Sequence, residues 1–411
     1  MIRDRVIELA RELVRTPSLS GQEDRVAEVL ARAMRTMGYD EVSVDEMGNV
    51  VGVVHGLSGS RRGGVLFDGH LDTVGVAEPQ AWKHPPFDGA IDGGRLYGRG
   101  AADMKGAIAA MTVAVGAVAA GERPAVDLVV SGTVSEETIE GPALEHVAER
   151  VKPAVVVIGE ATDLCLNIGG RGRGEIVVET IGIPAHSSNP SVGLNAIGAM
   201  IEVMTALGRL ELPRDPFLGP AIMEPTDIIS DPYPGMSVIP SRCRVTYDRR
   251  LLVGETPEEV LASVEAIFAD ARRREPRFAA RVDVAEAEFR TYRGALVRAR
   301  KFAPAWKRDP EDRWVTAARG ALRSAGLEAP IGSYSFCTNG SGTAGRMGLP
   351  TIGFGPGQEQ SAHTIDESVR LDDLLAAVEG YRRLALTLAA TAGATGSAGA
   401  AGTAGATGGG F

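Results

Sequence analysis

Two hydrophobic rhythms share this chain, and the second interrupts the first. Residues 1–173 alternate helical and strand periods as an α/β domain does. Helical spacing runs through Ile2–Val14 and Asp24–Met37, with Gly38 as a stop. Short β-rich runs follow at Val50–Val54, Gly64–Phe67, Val126–Val130 and Ala154–Ile158, and an Ala-rich helix is predicted at Met104–Ala120. From Gly174 the pattern becomes a strand (EIVVETIGI), a helix at Val192–Leu207, strands at Ala221–Ser230 and Arg242–Leu252, a capped helix opening at Thr256-Pro257-Glu258-Glu259, and a strand at Ala280–Phe289. That βαββαβ order suits a small sheet with two helices on one face. The first rhythm resumes at 293, with a helix near Trp314–Ala325, a strand near Thr351–Phe354 and a helix at Leu371–Leu388. The expectation is a discontinuous domain, 1–173 and 293–390, with 174–292 inserted into it.

Two cores also fit the size, since 411 residues exceed what one core ordinarily serves. Forty-three basic against 53 acidic residues leave a formal charge of −10, with no long basic run, so nucleic acid and acidic membrane surfaces are poor partners. Cys165, Cys243 and Cys337 are far apart and match no metal or redox spacing. The charged N-terminus lacks a signal-peptide core, and no apolar run reaches membrane-span length in the sequence; a cytoplasmic location is expected. Residues 391–411, almost all Ala, Gly, Thr and Ser, are expected to form a disordered tail.

The chemistry-bearing residues fall at the ends of apolar runs. In GHLDTV, His70 and Asp72 share one face of a strand end. In GRGAADMKG, Asp103 is either the N-cap of the Ala-rich helix or a carboxylate aimed into the same cleft. Glu136 and Glu137 follow DLVVSGTV; on a surface such a pair is an ordinary solvated one, but here it follows a buried-looking run and precedes Gly141-Pro142. Glu160 ends AVVVIG, at the carboxyl end of a buried strand, where open α/β sheets place their ligands. His363 lies in SAHTIDE, one of only six histidines. Two imidazoles and several carboxylates form a ligand set suited to zinc, with manganese or cobalt as substitutes. A carboxylate shared between two cations would relieve the crowding of negative groups.

The ordered motifs GHLDTV, GRGAADMKG, SEE, GE and AHTIDE resemble those of the co-catalytic zinc hydrolases that include aminoacylase, acetylornithine deacetylase, succinyl-diaminopimelate desuccinylase and glutamate carboxypeptidase. The resemblance covers about residues 1–390. PAHSSNPSVGLNAI and CRVTYDRRLLVGET are most similar to a branch labelled selenium-metabolism hydrolase. It implies an α/β catalytic domain with a mixed sheet flanked by helices, plus an inserted βαββαβ lid and dimerisation domain. It implies two divalent cations per subunit, with Asp103 bridging them, His70 and Glu160 completing one site, and Glu137 and His363 the other. Asp72 would support His70, and Glu136 would be the general base. His186 of PAHSSNP would reach a partner subunit's active site, and Arg250 would hold a substrate carboxylate. Asn339 and Gly340 would belong to the substrate pocket. Ala161 stands where many relatives have proline.

The expected activity is hydrolysis of a non-ring C–N bond in a small N-acyl or N-carbamoyl amino-acid-like substrate by a homodimer. A dipeptidase or carboxypeptidase is the near alternative. A non-catalytic metal-binding relative would have no use for an unligated Glu136, and a nucleotide-binding oxidoreductase is disfavoured by the glycine spacing of GRGAADMKG.

Overall fold

The computed structural model describes residues 2–121 and 123–401, with side chains as far as residue 394. Its larger sheet has nine strands. Eight run in the order Glu41–Val44, Val50–Val54, Leu128–Thr133, Val65–His70, Val155–Ile158, Thr351–Gly353, Leu166–Gly170 and Trp306–Lys307, and Ile331–Tyr334 pairs with Leu166–Gly170. Val65–His70 lies between Leu128–Thr133 and Val155–Ile158, parallel to both, and Thr351–Gly353 runs parallel to Val155–Ile158. These central strands are buried on both faces, which explains their unbroken apolar runs. Parallel neighbours present their carboxyl ends side by side. The residues just past them therefore meet at one edge of the sheet.

The helix Gly106–Ala119 packs against Ile2–Val14 and the terminal helix. With the turn before it, the segment Ala101–Ala119 is long and apolar enough, by length and composition alone, to cross a membrane, but 94% of its most apolar window is buried inside the protein. It is a core helix. The terminal helix runs Leu371–Ala401, so the stretch expected to be disordered from 391 is helical as far as 401. Alanine favours helix, and Ala392 is buried while Gly393 lies close to Ala125 and Val126. Residues 402–411 of that expected tail lie outside the described residues.

The second sheet contains Ile222–Asp231, Arg242–Leu251, Gly172–Ile181 and Ala279–Val284 in that order, with Phe302–Ala303 also paired to Gly172–Ile181. Helices Ala196–Leu207 and Pro257–Arg274 share a core with it, built on Ile176, Val178, Val245, Val264 and Phe268. Asn195 caps the first helix through Ile197 N and Gly198 N, and Thr256 with Glu259 forms a reciprocal capping box on the second. The chain order is βαββαβ, as the patterning predicts. The strand expected at Ala280–Phe289 is instead broken. Ala279–Val284 stays in the sheet, while Glu286–Arg290 turns into a separate hairpin with Leu296–Arg300. The hairpin tip reaches back to the larger unit, where Tyr292 donates to Gly48 O at 3.1 Å.

Candidate active site

His70 closes its strand, Glu136 and Glu137 follow Thr133, and Glu160 follows Ile158, so three adjacent parallel strands deliver them to one edge. Asp103 comes from the turn Ala101–Lys105, whose backbone departs from helical at Asp103 (φ −128°, ψ 91°) and Met104. It makes no helix cap. Its two oxygens serve two imidazoles instead: Oδ1 lies 2.9 Å from His70 Nε2 and Oδ2 lies 3.0 Å from His363 Nε2. Glu160 Oε1 is 3.5 Å from His70 Nε2, and Glu137 Oε1 is 3.0 Å from His363 Nε2. Two ligand sets result, His70/Asp103/Glu160 and Asp103/Glu137/His363, with the donor atoms of each within 4.8 Å of one another.

The electrostatics fit a pair of cations. Burial raises Glu160 and Glu136 well above the usual carboxylate range, and their acidic neighbours add to it. Burial also raises Glu137. Asp103 would be raised in the same way, but hydrogen bonds from His363 and His70 reverse the effect and hold it low. The two imidazoles carry the opposite imprint. Hydrogen bonds to Asp103 and Glu137 lift His363 to about 10. Burial opposes a charge on His70, yet Glu160, Asp103 and Asp72 together lift it well above 6.5. Glu160 Oε2 is buried without a hydrogen-bond partner among the described residues. An orphaned carboxylate oxygen amid surplus negative charge is suited to metal ligation, and N/O sets of this kind suit zinc or manganese.

Asp72 supports the site differently from the simplest expectation. His70 Nδ1 is 2.9 Å from the Asp72 backbone carbonyl and 3.6 Å from its carboxylate. The carboxylate accepts Glu136 N at 3.0 Å, Glu137 N at 3.1 Å and Ser20 Oγ at 2.6 Å. Asp72 therefore fixes both the imidazole and the turn that splits the two glutamates. Glu136, 6% exposed, belongs to neither ligand set.

A cleft of about 410 Å³ opens on the cluster, a volume suited to a small molecule. Arg250 lines it, along with Arg173, Glu140, Phe336, Cys337 and Glu359, which the sequence did not single out. Only Glu140, three residues after Glu137, carried a positional hint. His186 is not brought to this cleft. It sits exposed on the smaller sheet's side, its Nδ1 taken by Ser188.

Asn339 and Gly340, expected in the pocket, do not line it. Asn339 is 2% exposed, accepts Gly141 N at 2.8 Å and donates to Asp68 Oδ2 and Thr133 Oγ1 at 3.2 and 3.1 Å. It ties the loop after Glu137 to the central strands. A Cβ at Gly340 would meet Trp306 Nε1 at 2.9 Å, so packing requires that glycine.

The sequence profile of Peptidase family M20/M25/M40 matches residues 66–387. The chain is 32% identical over 387 residues to the uncharacterized protein YgeY of Escherichia coli, spanning 93% of this chain and 94% of that one. It is 28% identical over 408 residues to succinyl-diaminopimelate desuccinylase of Halorhodospira halophila, spanning 94% and 99%. Aminopeptidase PepT from Bacillus cereus has a similar fold, with a TM-score of 0.73 at 18% identity over 94% of this chain and 99% of that one.

Proposed function

Because this chain belongs to Peptidase family M20/M25/M40 and is a metallohydrolase of that family, we propose that it cleaves the C–N bond of a small N-acyl or N-carbamoyl amino-acid-like substrate, with Asp103 as the carboxylate that two divalent cations would share. The observation that carries this reading is the placement of the two Asp103 oxygens, 2.9 and 3.0 Å from the Nε2 atoms of two different histidines. His70 and Glu160 complete one site, and Glu137 and His363 the other; zinc is the expected metal, with manganese or cobalt as substitutes. Cations held there supply Lewis-acid polarisation of the substrate carbonyl and acidify a water.

The protein's own groups do the rest. Glu136, walled in and unligated, takes a proton from the attacking water and passes it to the departing nitrogen. Arg250 holds the substrate carboxylate. His186 of a second subunit donates to the developing oxyanion.

The smaller sheet offers a surface for that second subunit. The edge strand Ile222–Asp231 and the turn after it expose Ile228, Ile229, Tyr233, Met236 and Val238, and the helix Ala196–Leu207 exposes Ile201. An apolar sheet edge of this kind supports pairing with another copy. Three unpaired cysteines support the cytoplasm as the compartment.

A dipeptide is the second reading. Glu359 and Glu140 line the same cleft as the arginines and offer carboxylates to a free ammonium group. A panel of N-acetyl, N-succinyl, N-carbamoyl and dipeptide substrates, assayed with zinc, manganese or cobalt, tests both. Turnover is expected on acyl or carbamoyl substrates and lowered by about 10²–10⁴-fold in Glu136→Gln. Exclusive turnover of dipeptides selects the second reading, and metal-loaded protein inert on the whole panel contradicts both.

A further inference from the structure

The geometry points to Glu367 as the positioning residue of Asp103: a buried carboxylate that grips the backbone of the turn presenting the bridging ligand. This rests on the cation-pair reading above and adds to it a residue that reaches no cation itself.

Glu367 has no exposed surface. Its Oε1 accepts two backbone N–H groups, Ala102 at 2.9 Å and Asp103 at 3.0 Å. Its Oε2 receives Arg99 Nη1 at 2.6 Å, and Arg99 is 3% exposed and lies over the Trp82 ring at 5.2 Å. Its backbone carbonyl accepts Gly98 N at 2.9 Å. Every one of these contacts falls on the stretch 98–103, which delivers Asp103.

That stretch needs an external hold. Asp103 and Met104 are non-helical just where the long core helix begins, so Ala102 N and Asp103 N precede the regular helical ladder. From the other side Lys105, fully buried, donates to Thr16 O at 2.8 Å. The turn is thus held at both ends, and the end carrying the ligand is held by a carboxylate.

The location of Glu367 in the chain matters as much. It follows His363 by four residues and directly precedes Ser368–Arg370, which pairs with Arg95–Tyr97. One short segment therefore supplies an imidazole to one ligand set and clamps the shared ligand of both. A carboxylate beside Asp103 adds negative charge to an acidic cluster, an electrostatic cost that a merely structural contact would not require; Arg99 offsets it. The arrangement makes sense if the gain is the fixed aim of Asp103 at both histidines.

Partners that orient metal ligands typically change affinity by about 10–100-fold when lost. Titration calorimetry of zinc into metal-stripped wild type, Glu367→Ala, Glu367→Gln and Val264→Ala tests the role. Val264 lies in the smaller unit's core, away from the cluster, and serves as a destabilised control. Wild type should bind two zinc ions, and Glu367→Ala should weaken both events by about tenfold or more. Glu367→Gln should weaken them too, since an amide cannot accept from both the turn and Arg99. Val264→Ala should lower the melting temperature without moving either affinity. Zinc binding within about twofold of wild type in the soluble Glu367 variants overturns the positioning role while leaving the cation pair intact. Should Glu367→Ala fail to fold, Glu367→Gln decides by the same criterion. Failure of wild type to bind zinc removes the cation-pair reading and this one with it.

Discussion

Arg173 stands directly opposite Arg250 where strand Gly172–Ile181 pairs with Arg242–Leu251. Like charges in register repel, and Asp248 lies between them, with Oδ2 2.9 Å from Arg173 Nε and Oδ1 2.8 Å from Arg250 Nε. Glu140, from the loop after Glu137, comes to 3.3 Å of Arg173 Nη1. Both arginines line the cleft, and the proposed role of Arg250 there is to hold the substrate carboxylate. Arg250→Met is expected to raise KM by about 10–100-fold with a much smaller change in kcat, as for loss of one charged hydrogen bond. Steady-state kinetics on paired carboxylate and carboxamide substrates checks it. An equal effect on both members of a pair would remove the carboxylate from the assignment.

Glu136→Gln keeps the side chain's size and removes its proton chemistry. Turnover should fall by about 10²–10⁴-fold, the usual range for a general base. Zinc stoichiometry should stay at the wild-type value, because Glu136 is in neither ligand set. Calorimetry and kinetics on the same preparation check both halves. Loss of a zinc ion in this variant would make Glu136 a ligand rather than a base.

His186 is exposed and outside its own subunit's cleft, so its contribution should cross a dimer interface. Mixing inactive Glu136→Gln with His186→Ala should restore up to about a quarter of wild-type turnover, because half of randomly exchanged dimers carry one intact composite site. The check is an activity assay after subunit exchange, with the oligomeric state measured by light scattering. A mixture no more active than its components would return His186 to a surface role.

Glu23 makes a pH prediction outside the cluster. Its Oε1 accepts Ser135 N at 3.0 Å, while Oε2 has no hydrogen-bond partner among the described residues. Burial first, then Asp72, raises its pKa from 4.5 to about 7. The folded protein holds this proton more tightly than the unfolded chain does. The stability it contributes is therefore complete below the unfolded value and is lost as pH rises through about 7. Glu23→Gln should flatten the stability profile across that window by up to about 1.4 kcal/mol per pH unit. Urea unfolding at a series of pH values measures it. Parallel profiles for variant and wild type would exclude Glu23 as the source.

The legible part of this molecule was the part written in strand ends and periodicity. His70, Glu137 and Glu160 could be placed because apolar runs end just before them, and parallel neighbours bring such ends together. The βαββαβ unit was legible because alternation and a capping box mark its elements. What escaped depends on long-range contact. Asn339 sits in a loop that gives no sign of its tie to Asp68 and Thr133, so the resemblance implies a pocket residue where the fold has a buried brace. Glu367 stood inside a quoted motif, yet only the fold shows it gripping residues 265 and 264 positions away. The run Ala280–Phe289 reads as one strand in sequence, because a short apolar alternation does not reveal where it changes partners from the sheet to the hairpin.

Crystals grown with zinc and measured at the zinc absorption edge examine the cation cage itself. Two anomalous peaks should flank Asp103, one against His70 and Glu160 and the other against Glu137 and His363. Density for one ion only, or peaks remote from Asp103, would contradict a shared carboxylate.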